Sequence, residues 1–286
     1  MLLTGLFFVA VTGIVRYLGS TLPAMEMAFI RYGFGALLVI PALLPLVRNP
    51  PEFRRLRFFA LRGFLHGFGV MLWFYAMARI PIAEVTAIGY VAPIFVAIGA
   101  AVFLGEKMQA RRIVSIGIGF VGALIILRPG FQEINSGQLA QLAASPIFAA
   151  SFLMAKKMTG SEDSSVIVAM LTIFCTLVLA PGAIYYWQTP TAHEFFWLFL
   201  TAVSATCGHY TLTRAYQAAP ITVTQPLSFL QLVWAALIGI TLFGEAVDPF
   251  VILGGGIVVA SVTYISHREA QAARQATTPL AQATKL

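Results

Sequence analysis

The stretch YAMARIPIAEVTAIGYVAPIFVAIGAAVFLGE at residues 75–106 lines up without a gap against RAYQAAPITVTQPLSFLQLVWAALIGITLFGE at residues 214–245, a displacement of 139 positions. The register sets Pro81 on Pro220, Ile82 on Ile221, Ala97 on Ala236 and Gly105-Glu106 on Gly244-Glu245, and it extends to Gly69 on Gly208 and Gly117 on Gly256. Both copies lie in almost wholly apolar sequence. An internal repeat of membrane-spanning sequence marks folds that place a binding site between two halves.

Composition agrees with a membrane location. The 286 residues are 59% hydrophobic and 10% charged, with a mean hydropathy of +0.86, too few charges to cover a soluble domain of this size. A crossing helix needs about 20 apolar residues. Ten candidate spans satisfy this approximately, at residues 2–18, 24–47, 58–78, 82–104, 112–127, 138–155, 166–187, 195–217, 221–243 and 250–266. The expected fold class is an all-α polytopic membrane protein of ten transmembrane helices. The organisation that follows is a first five-helix repeat at 1–127, an outward-facing linker at 128–136, a second repeat at 137–266, and a disordered cytoplasmic tail at 267–286. The tail is rich in Ala, Gln and Thr.

Lys and Arg collect on the cytoplasmic side of short loops. With the N-terminus inside, cytoplasmic segments hold Arg48, Arg54, Arg55, Arg57, Arg62, Lys107, Arg111, Arg112, Lys156, Lys157, Arg214, Arg268, Arg274 and Lys285, 14 in all, against Arg16, Arg79 and Arg128 outside. Both termini are therefore expected on the cytoplasmic side of the membrane. The net charge of +7 then reports topology, and no nucleic-acid partner is expected. The displacement crosses five spans, an odd number, so the second copy is expected upside down relative to the first. Lys107, Arg111 and Arg112 follow the first Gly-Glu turn, whereas Asp248 follows the second.

Three stretches, AFIRYGFGALLVIP in the second span, the duplicated segment itself, and GIGFVGALIILRP closing the first half, come in an order and spacing that resembles the EamA-type ten-helix branch of the drug/metabolite transporter (DMT) superfamily. The resemblance covers the whole chain. It implies a secondary transporter that moves a small polar or amphipathic metabolite by alternating access. Export of an amino-acid-like substrate is the leading expectation. The alternative is an uptake carrier for a ring-bearing metabolite such as S-adenosylmethionine or riboflavin, since LRGFLHGFGVMLWFYAMARIP is similar to such carriers. A channel or membrane scaffold is the alternative of another class. Met1 is followed at once by the first span, without the leader usual in that family, so a start inside a longer N-terminus is expected, not a cleaved signal peptide.

Polar side chains that share one helix face at bilayer depth should turn inward. Arg62, His66, Gly69 and Trp73 form one such stripe, Thr206, His209, Thr213 and Tyr216 another, and Gln141, Ser145, Phe148 and Phe152 a third. Thr86, Tyr90, Pro93 and Ala97 make a fourth, and Gln225, Ser228 and Gln231 follow a wider arc with Trp234 nearby. The expected substrate cavity comprises His66, Trp73, Tyr90, Gln141, Ser145, His209, Thr213, Tyr216, Gln225, Ser228, Gln231 and Trp234. Helix-to-helix hydrogen bonding and plain packing stay open for each taken singly. Imidazole titrates in the right range for proton handling, so His66 and His209 are coupling candidates, as is Glu84, for which helix capping is the competing role. Arg31 lies inside the second span, where a guanidinium meets either a protein acceptor or a substrate anion.

The glycines of GIGFVGA and GGGIVVAS are expected at tight helix contacts, and Pro93, Pro146 and Pro226 at interrupted helix ladders. Hydrolase signatures such as GxSxG and HExxH are missing, so no enzyme activity is expected. Cys175 and Cys207 stand apart in apolar spans, and neither a metal nor a cofactor is expected. Without a GxxxxGK[ST] loop the driving force falls to protons, another ion, or a counter-substrate.

Overall fold

A long apolar segment in lipid must satisfy its backbone polar groups within itself, which selects helix. The computed structural model describes residues 1–43, 52–92, 94–96, 98–99, 110–128, 133–218, 230–246 and 248–277, and among them there is no strand. Ten helices have defined bounds: α1 Leu2–Leu18, α2 Ala24–Leu38, α3 Phe53–Met77, α4 Ile82–Gly89, α5 Ala110–Leu127, α6 Ser136–Met158, α7 Ser164–Tyr185, α8 Ala192–Ala218, α9 Leu230–Phe243 and α10 Pro249–Thr277.

The helices α3, α6 and α7 are each long and apolar enough to cross a bilayer, and Leu2–Leu18, Ile113–Leu127, Leu230–Phe243 and Pro249–Tyr264 are shorter apolar helices. About half of each long segment is buried in protein, 44% for α3 and α6 and 50% for α7. The remaining faces present Leu61, Phe64 and Phe68 of α3 and Leu177 and Ile184 of α7 to the outside. Such an apolar exterior needs hydrocarbon around it. The chain is a polytopic helical membrane protein. Tyr185, Tyr186 and Trp187 stand exposed at the end of α7, where amphipathic rings meet headgroups.

The helices pair in a pattern that maps onto itself. Helix α1 packs on α8 as α6 packs on α3, α2 on α8 as α7 on α3, and α1 on α9 as α6 on α4. The contacts α2–α7, α4–α9 and α5–α10 join like-numbered members of the two sets. Exchanging α1–α5 for α6–α10 returns each of these pairings, whereas the contacts of α4 with α5 and α10 have no counterpart of like extent among the described residues. The main core lies where α2, α3 and α7 meet, with Met27, Tyr32, Val70, Phe74 and Leu171 buried.

Helices in lipid gain little from apolar association, so close backbone approach has to supply the contact energy. At the α5–α10 crossing a Cβ on Gly122 would stand 2.7 Å from the carbonyl oxygen of Gly254, and one on Gly254 would stand 2.5 Å from that of Gly122. Gly119 fits against Ile94, and Ser261 donates to the backbone oxygen of Ser115 beside it. Gly117 and Gly256 have open space around them, so the contact uses only part of the glycine pattern.

Two elements differ from the sequence expectation. The fourth span, expected over 82–104 with its ladder interrupted at Pro93, breaks before the proline: α4 stops at Gly89 and the chain turns at Tyr90 and Val91, with the shorter bonds Val91 N to Ile88 O and Ile94 N to Val91 O, both 3.0 Å. Pro93, itself outside the described residues, has no N–H to offer the carbonyl of Gly89, which interrupts the ladder there. The tail from residue 267 was expected to be disordered, but α10 continues to Thr277 because HREAQAARQA consists largely of strong helix formers. By contrast Pro146 sits within an unbroken α6.

Gly122→Ala and Gly254→Ala should each cost about 1–3 kcal/mol by overpacking against backbone that cannot yield. A lowered melting temperature of the purified protein in detergent is the expected reading. Gly256→Ala, placed in open space, should leave that temperature unchanged.

Candidate functional site

Six helices converge on a cavity with about 180 Å³ open to the centre of a water-sized sphere. Thr4, Phe8 and Thr12 of α1 form one wall, His66 and Trp73 of α3 another, and Thr86 and Gly89 of α4 a third together with Tyr90. Helix α6 contributes Gln141, Ser145, Phe148 and Phe152, α8 contributes His209 and Tyr216, and α9 contributes Gln231. The whole α6 stripe expected from spacing thus faces the cavity.

Five of these side chains touch in a closed circuit. Trp73 meets Phe148 edge-on at 6.1 Å between centroids, Phe148 meets His66 at 5.1 Å, and His66 meets His209 at 5.2 Å. His209 meets Phe8 at 5.1 Å, and Phe8 returns to Trp73 at 6.4 Å. Phe152 stacks on Phe148 with an interplanar angle of 16°. Four of these contacts are edge-to-face, which puts the positive rim of one ring on the negative face of another, and the His66–Phe148 contact is tilted at 58°.

Behind the circuit lies a polar support. His66 Nδ1 is 3.0 Å from Ser151 Oγ, in a bond whose direction follows the imidazole tautomer. One turn earlier, Arg62 Nε donates to Ser151 O and Nη1 to Ile167 O, each at 3.3 Å. Arg31 is likewise buried, with its guanidinium carbon 3.8 Å from the centroid of the Tyr32 ring. Among the described residues no carboxylate forms an ion pair with either arginine. Carbonyl dipoles and a ring face hold these two charges.

One end of the bundle is closed by a network of hydrogen bonds. Gly244, at φ 61°, ends α9 in the left-handed region that glycine adopts without strain, and this reversal aims Glu245 back into the bundle. The carboxylate accepts from Arg16 Nε at 2.8 Å through Oε1 and from the N–H of Ile82 at 3.0 Å through Oε2. It therefore caps α4 from outside the helix. A Cβ at Gly239 would stand 2.8 Å from Oε2, so the carboxylate lies over a bare glycine. Nearby, Gln138 completes a capping box with Asn135 and also donates from Nε2 to Glu84, while Arg128 pairs with Asp248. Glu84 thus sits in the first turn of α4 within the closure and outside the cavity lining.

Of the residues expected at the site, His66, Trp73, Tyr90, Gln141, Ser145, His209, Tyr216 and Gln231 line the cavity. Thr213 is buried but bonds back to His209 O at 2.8 Å and does not line it. Trp234 does not line the cavity: it is 42% exposed, on the face of α9 that also presents Leu230, Val233 and Leu237. Gln225 and Ser228 lie outside the described residues, as do Gly105, Glu106, Ala97 and Pro226. The α1 wall was missed, although Thr4, Phe8 and Thr12 recur every four residues and carry the same signal as the other stripes.

The sequence matches the profile of the EamA-like transporter family twice, over residues 1–128 and 135–267. An S-adenosylmethionine uptake transporter of Rickettsia bellii is 30% identical over 90% of this chain and 88% of its own length. A riboflavin transporter of Vibrio cholerae is 29% identical over 96% of this chain and 94% of its own, and one of Rhizobium johnstonii is 30% identical over 96% and 92%. A solved crystal structure superposes with a TM-score of 0.63 over 93% of this chain and 98% of that one, at 15% identity, a likeness of fold alone.

Removing the carboxylate in Glu245→Ala should loosen the closed end. In a background without Cys175 and Cys207, a cysteine at Val85 should then react several-fold faster with a membrane-impermeant thiol reagent applied from the Asp248 side. An unchanged rate would leave the closure to other contacts.

Proposed function

Because the chain belongs to the EamA-like transporter family, and so is a membrane transporter and not an enzyme, we propose that it takes up a small, ring-bearing amphipathic metabolite across the bacterial inner membrane by alternating access. The observation that carries this reading is the closed circuit of rings within a cavity shut at one end. Stacked aromatic walls offer a flat heterocycle far more contact than an amino-acid side chain needs. The names of the relatives, S-adenosylmethionine uptake and riboflavin transporters, favour this reading over amino-acid export.

Three observations support ten spans in two inverted halves. They are the 139-residue repeat, the twofold family match, and the exchange of helix pairings between α1–α5 and α6–α10. In the orientation set by the charge bias both termini are cytoplasmic, the closed end faces outward, and the cavity, which reaches Met1, Tyr216 and Gln231, extends toward the cytoplasm. Cysteines placed at Arg54 and Arg274 should label from the cytoplasmic side and one at Asp248 from outside. Asp248 and Arg54 on one face would remove the inverted arrangement.

Substrate is tested by counterflow in proteoliposomes loaded with riboflavin, S-adenosylmethionine or a mixture of amino acids. Riboflavin or S-adenosylmethionine should exchange, and Trp73→Ala and Phe148→Ala should each raise KM about tenfold or more, the scale of one lost stacking face, with the inserted amount of protein unchanged. Exchange of amino acids alone would return the reading to amino-acid transport. If His66 or His209 carries a coupling proton, the corresponding His→Gln variant should lose transport driven by a pH gradient while keeping exchange at equal pH, because only net movement needs the titrating group.

A further inference from the structure

Polar side chains of the wall differ in how far the protein itself satisfies them. Thr12 donates to Phe8 O at 2.9 Å, Thr86 to Ile82 O at 2.9 Å, and Ser145 to Gln141 O at 3.2 Å, each hydroxyl turned back on its own helix. Gln138, one turn before the cavity, has its amide engaged by the α6 cap and by Glu84. Gln141 departs from this pattern. It is only 3% exposed, lines the cavity, and leaves its Oε1 buried with no hydrogen-bond partner. A buried amide oxygen without a donor is costly unless something enters to satisfy it. The position is also a built one, since the amide lies against Gly89, where a Cβ would stand 3.2 Å from Nε2.

We propose that Gln141 reads the edge of the substrate ring, accepting at Oε1 from a ring or exocyclic N–H and donating from Nε2 to the ring acceptor beside it. An amide sets donor and acceptor side by side, the geometry that pairs with a heterocycle carrying both on neighbouring atoms. The flavin imide and the amino edge of adenine are two such groups, whereas a hydrocarbon ring leaves the amide unpaired. The proposal rests on the ring-bearing substrate of the preceding section and assigns the residue that selects it. The aromatic walls grip any flat ring, and Gln141 distinguishes among them.

The test compares riboflavin with 3-methylriboflavin, and S-adenosylmethionine with its analogue dimethylated on the adenine amino group, by equilibrium binding to the purified full-length protein. Wild type should bind the unmethylated member of at least one pair about tenfold or more tighter, as expected when a polar site meets a ligand lacking its partner. Gln141→Leu should abolish that difference, and Gln141→Glu, which keeps the acceptors, should retain part of it. Equal binding within each pair by wild type, or an undiminished difference in Gln141→Leu, would overturn the assignment while leaving the ring-bearing reading intact. No binding of either unmethylated compound would remove that reading and this inference with it. The wild-type comparison needs no substitution, so it can overturn the assignment even where a variant fails to fold.

Discussion

Every polar atom at bilayer depth needs a partner inside the protein, and this requirement orders most of what the structure does. It turns the threonines of α7 and α8 back onto the carbonyls of their own helices, as Thr172 on Val168 and Thr211 on Cys207. The same requirement holds Arg62 on two carbonyls from different helices, so the arginine fixes α3 against both α6 and α7. Lys156 follows the rule at the end of α6, donating to Tyr216 O of α8 at 2.7 Å. The few atoms that escape the rule are informative because escape is expensive.

The cavity carries an electrostatic bias that its neutral lining conceals. Two guanidinium groups stand near the histidine pair with carbonyls and a ring for company and without a carboxylate among the described residues. Uncompensated positive charge of this kind favours neutral or anionic groups in the cavity, while the π faces favour cations. The two fields oppose each other. A substrate that is both aromatic and weakly charged meets the least conflict.

Much of this was readable from the sequence because the membrane simplifies the code. Apolar length and charge bias locate spans, and a polar stripe on an apolar helix leaves few choices but inward, which is why spacing puts Gln141, Ser145, Phe148 and Phe152 on one face, the face that lines the cavity. The same logic applies to α1, where Thr4, Phe8 and Thr12 recur every four residues, yet that spacing alone does not say that α1 packs on α8 and closes the cavity wall. Trp234 is the converse case: an aromatic near a polar arc suggests a cavity wall, yet it belongs to the exposed face of α9 with Leu230, Val233 and Leu237, about 60° round the helix from Gln231. The ring circuit was hidden altogether, since its members come from four helices spread between Phe8 and His209. No periodicity reports a contact at that separation.

The closure at Glu245 has an electrical consequence. Arg16 and Glu245 carry opposite unit charges in contact, so parting them sideways, within the plane of the membrane, moves neither charge along the membrane field. A transmembrane voltage acts on translocated charge, at about 2.3 kcal/mol per elementary charge per 100 mV. The neutral pair is blind to it. A lock that opens sideways therefore works equally well in an energised and a resting cell, and dependence of the cycle on membrane potential falls to the charges that do shift along the field, the buried Arg31 and Arg62 and whatever the cavity carries.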